Sequence, residues 1–147
     1  MMHEDSEKDP LVGTPLPALT LEGWRGGVSG MDALQGRIIV IDFWATWCQP
    51  CLGAIPHNNR IAADYADRNV VVLGICATTG ADAMEQIAKD RGIQYPIAKD
   101  VEKASEKALN VRWFPCHYLV DAAGVLRAAR VSAEAVEEAL QTLLHSP

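Results

Sequence analysis

Cys48 and Cys51, separated by Gln49 and Pro50, are the residues whose type and spacing carry the plainest chemistry in this chain. Two cysteines at this spacing can close an intramolecular disulfide and open it again when one turn of helix separates them. The run ahead of them, Arg37 through Phe43, is rich in β-branched apolar residues and reads as a buried strand. After Cys51 the apolar positions Leu52, Ile55, Ile61, Ala62 and Tyr65 fall close to a helical period. The pair therefore belongs where a strand gives way to the first turn of a helix. Free N–H groups and the helix dipole stabilise an anion there, so a thiol ionises below the usual ~8.5 and reacts as thiolate. Cys48, at the helix mouth, reads as the exposed nucleophile, and Cys51, one turn in, as the thiol that resolves the intermediate. Pro50 suits the first helical turn, where its missing N–H costs little. Half of a zinc site and a static disulfide are the competing chemistries, and both fit a strand-then-helix setting less well than redox exchange.

Asp42 interrupts the apolar strand six residues before Cys48. Alternation along the strand can aim its side chain beneath the cysteine pair, where burial raises its pKa toward the range in which it takes a proton from Cys51. The competing reading is a strand-end Asp facing water. Farther on, Trp113-Phe114-Pro115-Cys116-His117 leads into another apolar run. Pro115 has no N–H, and the backbone beside it at Phe114 is free to pair with an extended chain. Trp47 reads as the rim of that groove, with Gln49 and Pro50 completing the surface around the sulfurs. Cys116 and His117 open a metal alternative. With Cys48 and Cys51 they make a soft set suited to zinc or copper(I), as in a metallochaperone or other metal-binding module. The reading preferred here has Cys116 packed inward as a small, unreactive hydrophobe and His117 exposed on the next face. Cys76, closing an apolar run, reads as core.

The remaining composition narrows the class. A chain of 147 residues, 49% hydrophobic and 22% charged, suits a single domain with a sizeable core. A net charge of -6 argues against nucleic acid or an anionic membrane surface as partner, because those select clustered Lys and Arg. The polar start, Met1 through Asp9, has no apolar h-region and no targeting signal, and no later stretch approaches the ~18 apolar residues of a membrane span.

The elements that must position these groups follow from periodicity and punctuation. Leu16 through Leu21 alternates and reads as an edge strand because of its prolines, with a turn over Trp24 to Ser29. A short helix from Ser29 or Gly30 to Leu34 precedes the buried strand, and the helix after the cysteines runs from about Gln49 to Asp67 with a bend at Pro56. Asn69 to Cys76 is a second buried strand, parallel to the first. Helices over Ala81 to Arg91 and Glu102 to Leu109 flank a short extended piece at Tyr95 to Ile97. Cys116 to Val120 and Val125 to Val131 form an antiparallel hairpin, and a helix from Ala133 to Leu144 closes the chain.

The segment Asp42-Phe43-Trp44-Ala45-Thr46-Trp47-Cys48-Gln49-Pro50-Cys51 resembles the active-site segment of thioredoxin-fold thiol-disulfide oxidoreductases. The opening Gly13-Thr14-Pro15-Leu16-Pro17 and Pro56, five residues past Cys51, are similar to the TlpA/ResA branch, and the likeness spans residues 11 to 145. It implies an α/β thioredoxin-like fold, a central mixed sheet flanked by helices, with a flexible tail over 1–10 and one domain over 11–147. The implied activity is dithiol-disulfide exchange with protein thiols and disulfides and with a thiol reductant or oxidant. The implied protein is a monomer without a cofactor beyond its redox-active disulfide. Members of that branch work outside the cytoplasm, which implies the same here if a signal or anchor has been removed, and a cytoplasmic place otherwise. The resemblance also implies a cis bond at Pro115, a Phe114-Pro115 loop opposite the cysteine pair where an extended substrate chain pairs beside Cys48, and a proton-handling Asp at position 42. The TlpA/ResA branch more often has Asn there and Glu three residues after the second cysteine, where this chain has Ala54. A peroxidase of the same fold wants Thr three residues before its cysteine, and Ala45 stands there.

Overall fold

Ile38–Trp44 forms strand β2 at the middle of the sheet, because its alternate side chains meet apolar partners on both faces. Ile39, Ile41 and Phe43 enter one core layer, and Val40 and Trp44 the other. The computed structural model describes residues 9–145. Residues 1–8, most of the tail expected to be flexible, lie outside the described residues. Asp9, at the end of that tail, is buried and ion-paired to Arg130 rather than free.

The other strands are β1 (Leu21–Arg25), β3 (Val70–Cys76), β4 (Ile97–Asp100), β5 (Cys116–Val120) and β6 (Leu126–Val131). Among the described residues they make one mixed sheet in the order β1-β4-β3-β2-β5-β6. Strands β2, β3 and β4 run parallel, while β5 is antiparallel to β2 and to β6, and β1 to β4. Helices α1 (Gln49–Asp64), α2 (Met84–Arg91) and α4 (Val136–Leu144) supply Leu52, Ile55, Ile61, Met84, Val136 and Leu140 to one core layer. The opposite face is closed by the N-terminal segment, the 3-10 turn Met31–Leu34 and Leu109, which follows the short helix α3 (Ala104–Ala108).

Several boundaries differ from expectation for identifiable reasons. Leu16 through Leu21 does not form the edge strand. The backbone around Pro15 and Pro17, short of donors, lies against the start of β6, with Leu16 N–H bonded to Gly124 O and Leu126 N–H to Thr14 O. The edge strand begins only at Leu21, so that Trp24 and Arg25 belong to β1 and not to a turn. Helix α1 passes through Pro56 and ends at Asp64, after which Ala66–Arg68 tightens into a 3-10 turn and Asn69 takes a left-handed conformation (φ 64°). Helix α3 starts after Lys103 because Glu102 and Lys103 are left-handed, and the Asp100 carboxylate accepts from Ser105 and Glu106 N–H groups at 2.7 and 3.0 Å.

Candidate active site around Cys48 and Cys51

Strand β2 delivers Cys48 to the N-cap of α1, in an extended conformation (φ -98°, ψ 105°), and Pro50 occupies the first turn. Cys51 N–H points back at Cys48 Sγ from 3.2 Å, as a cap donor would. The two sulfurs are joined as a disulfide, with Cα atoms 5.3 Å apart. Both are more enclosed than the exposed nucleophile expected from sequence. Cys48 is 6% exposed and Cys51 1%, so access is limited to the outer sulfur. The limit comes from Phe114, whose carbonyl oxygen lies 3.7 Å from Cys48 Sγ and whose bond to Pro115 is cis.

Around the sulfurs, Gln49 and Pro50 are exposed, and Phe114 and Pro115 half-buried. Trp47 is 58% exposed, which is a rim position and not a core one. Its ring meets Phe114 edge-on at 6.0 Å, and its indole N–H donates to Thr79 O at 3.1 Å. Thr46 Oγ1 donates to Gly80 O at 2.8 Å, and a Cβ at Gly80 would sit 2.9 Å from both Thr46 Oγ1 and Trp47 Cδ1. Glycine at 80, with φ +82°, therefore lets the Trp47 indole lie against this loop. Nothing in the sequence reading singled out Thr79 and Gly80, since their part depends on a backbone approach across 30-odd residues.

Asp42 is 1% exposed, on the sheet face that α1 covers. Asn58 of α1 donates to Asp42 Oδ2 at 2.9 Å and also reaches Tyr95 Oη at 3.4 Å. Burial pushes the Asp42 carboxyl up to about 7, against the smaller opposing effect of the Asn58 hydrogen bond. His117 lies opposite Asp42 in the β2–β5 register, with Nε2 3.2 Å from Asn58 Oδ1 and 3.6 Å from Asp42 Oδ1. The expectation of an exposed His117 is wrong: it is fully buried, and burial first, then the charge of His57, lower its pKa to about 4. Asn58 and Tyr95 also escaped notice, because an Asn inside an amphipathic helix and a Tyr beside Pro96 look like ordinary surface and core positions.

The metal alternative fails on geometry. Cys116 sits in the core layer on the far side of the sheet from Cys48 and Cys51, because neighbouring residues of β5 point to opposite faces. Cys48, Cys51, Cys116 and His117 therefore do not converge, and among the described residues no cluster of three or more His, Cys, Asp or Glu is placed to hold a metal ion. Cys116 and Cys76 are both free and buried, and burial pushes each thiol up to about 12.

A mixed sheet of this order, carrying a disulfide at the mouth of α1 opposite a proline loop, defines a thiol-disulfide oxidoreductase of thioredoxin-like fold. The chain belongs to the AhpC/TSA family, whose profile matches residues 12–129. It is 28% identical over 134 residues to the thioredoxin-like protein YneN of Bacillus subtilis, covering 89% of this chain and 78% of that protein. Similarity to the thiol-disulfide oxidoreductase ResA of Geobacillus kaustophilus reaches 27% identity over 116 residues, 79% of this chain and 67% of that one. The thioredoxin domain of a thiol-disulfide oxidoreductase from Bacteroides vulgatus superposes with a TM-score of 0.79 at 15% identity, covering 91% of this chain and 98% of that domain. That last likeness concerns the fold.

Proposed function

We propose that this chain exchanges disulfides with partner proteins through Cys48, with Cys51 as the resolving thiol and Asp42 as acceptor of the Cys51 proton. The Cys48 thiolate attacks one sulfur of a partner disulfide, forming a mixed disulfide and releasing the other partner sulfur as thiolate. Asp42 then takes the proton of Cys51. The Cys51 thiolate attacks Cys48 Sγ, the Cys48–Cys51 bond forms, the bond to the partner breaks, and the second partner sulfur leaves as thiolate. Two electrons pass to the partner, and its two thiolates take up the protons given up at Cys48 and Cys51. A thiol reductant restores the pair, and the same steps run backwards oxidise a dithiol.

The observation that carries this reading is the surroundings of Cys48 Sγ, with the Cys51 amide aimed at it from 3.2 Å on one side and the Phe114 carbonyl 3.7 Å away on the other. The first favours a thiolate, and the second puts a strand-pairing backbone where a substrate chain would run. Trp47, Gln49, Pro50, Phe114 and Pro115 form the surface that receives that chain. The reaction needs no cofactor beyond the two sulfurs, and the protein works as a monomer. The resemblance to the TlpA/ResA branch supports a place outside the cytoplasm. Among the described residues no helix is long and apolar enough to cross a membrane. The test is reduction of insulin disulfides driven by dithiothreitol. Turnover should vanish in Cys48→Ser, and Cys51→Ser should accumulate a covalent complex with the substrate. Full turnover in Cys48→Ser would overturn the reading.

A further inference from the structure

A histidine in the middle of β5, on a sheet face otherwise occupied by Leu119 and the packed side chains of α1, needs a reason, because an aliphatic side chain would fill the same space without burying an imidazole. Its placement supplies one. His117 and Asp42 are direct partners across the antiparallel β2–β5 pair, and both are buried. Asp42 Oδ2 has the Asn58 amide as donor, whereas Asp42 Oδ1 has no hydrogen-bond partner. His117 Nε2 lies 3.6 Å from that unpaired oxygen, and a ring shift of under ~1 Å brings it to hydrogen-bond distance.

Asn58 fixes the direction of this contact. Its Nδ2 faces Asp42 Oδ2, so its Oδ1 is the end presented to His117 Nε2, at 3.2 Å. With Asp42 ionised, both neighbours of Nε2 are acceptors, which favours the Nε2–H tautomer of the neutral imidazole and leaves the buried Nδ1 without a hydrogen-bond partner. The result is a relay of polar groups, His117 to Asn58 to Asp42, held by two paired strands and one helix and closed from water.

We propose that His117 is a positioning residue for the proton step: its Nε2–H, oriented by Asn58 Oδ1, stabilises the carboxylate form of Asp42 and so decides how readily Asp42 takes the proton from Cys51. The proposal rests on the reading of Asp42 given above. A donor to a carboxylate this deeply buried favours its charged form against the desolvation that raises its pKa. Burial pushes the Asp42 carboxyl up to about 7 with the Asn58 amide as the opposing donor, and a second donor at His117 Nε2 acts in the same direction as Asn58.

The groups that face the pair are few. Strand β2 contributes Asp42, α1 contributes Asn58 and the His57 ring, and the segment before β4 contributes Tyr95, whose own ionisation Asp42 opposes. From β6 the Val131 backbone favours the protonated His117 ring, while His57 disfavours it. Glu137 of α4 pairs with His57 at 3.3 Å and is a step farther out. With burial as the largest effect, His117 stays neutral at working pH and acts as a hydrogen-bond donor, not as a second charge.

The experiment follows the Asp42 carboxyl carbon by NMR through a pH titration of the oxidised protein, in which the disulfide removes both active-site thiols from the titration. Wild type should titrate near neutrality. His117→Leu should move the midpoint up by about one to two pH units, the order expected for losing a hydrogen bond to a charged group. His117→Gln, which keeps a donor near the Nε2 position, should restore most of that shift. The pH profile of mixed-disulfide resolution in the reduced protein should move with it. An unchanged Asp42 midpoint in a folded His117→Leu protein overturns the proposal even if disulfide exchange is intact, whereas absence of exchange in wild type overturns the reading of function instead. Should His117→Leu fail to fold, the wild-type imidazole nitrogens decide: an Nε2–H tautomer whose signals shift with the Asp42 midpoint supports the proposal, and an Nδ1–H tautomer or no response refutes it.

Discussion

Cys51 N–H is aimed at Cys48 Sγ from 3.2 Å across the first turn of α1, a donor that would stabilise a thiolate at Cys48 once the disulfide is reduced. The asymmetry between the two sulfurs comes from this contact and from depth, since Cys51 is 1% exposed and Cys48 6%. In the reduced protein, iodoacetamide at mildly acidic pH should therefore modify Cys48 first, read by mass mapping of the alkylated peptides. Preferential labelling of Cys51 would reverse the roles.

Asp42 makes stability depend on pH in a defined direction. Its folded pKa of about 7 stands above the unfolded 3.8, so the folded state holds the proton more tightly. The stability this gives is complete below the unfolded value and is lost as pH rises through the folded one. Asp42→Asn does not titrate, so its stability relative to wild type should grow between about pH 4 and pH 7, by up to about 4 kcal/mol. His117 titrates with the opposite sign, which is why the difference between variant and wild type isolates Asp42. Denaturant melts of both oxidised proteins at pH 5 and pH 8 measure it. A difference that is flat or shrinks with pH contradicts a buried Asp42 with a raised pKa.

The two remaining cysteines should be silent. Cys76 and Cys116 are buried, with thiols pushed up to about 12, and Cys116 faces away from the redox pair. Mild oxidation of the native protein, followed by mass mapping, should yield a Cys48–Cys51 bridge with both other cysteines free. A Cys48–Cys116 bridge would require the β5 alternation to be wrong.

Trp47 and Phe114 meet edge-on at 6.0 Å beside the disulfide, in the surface proposed to receive a protein substrate. Replacing either with Ala should raise KM for insulin several-fold, consistent with about 1 kcal/mol of lost aromatic contact, while turnover of a small disulfide such as oxidised glutathione changes little. Equal losses on both substrates would assign these rings to the architecture of the loop.

The redox pair, its strand and its helix were legible because they depend on local pattern: β-branched residues up to Phe43, a helical period after Cys51, and a proline where the helix tolerates one. Burial of Asp42 was legible for the same reason, through strand alternation. His117 was misjudged because its exposure depends on what covers β5, and α1 covers it from 59 residues away in sequence through Asn58. The edge strand starts later than the prolines suggest because the backbone around Pro15 is taken up by a particular partner distant in sequence, the start of β6. Gly80 likewise gains its meaning only from Trp47 lying against it.

The central claim, that Cys48 and Cys51 form the exchanging couple, is tested most directly by equilibrating the protein across a series of glutathione redox buffers and counting free thiols by mass. The account predicts a single two-electron transition, confined to Cys48 and Cys51, with a reproducible midpoint potential and no change at Cys76 or Cys116. A pair that stays oxidised or reduced across the whole accessible range, or a transition carried by another cysteine, would contradict it.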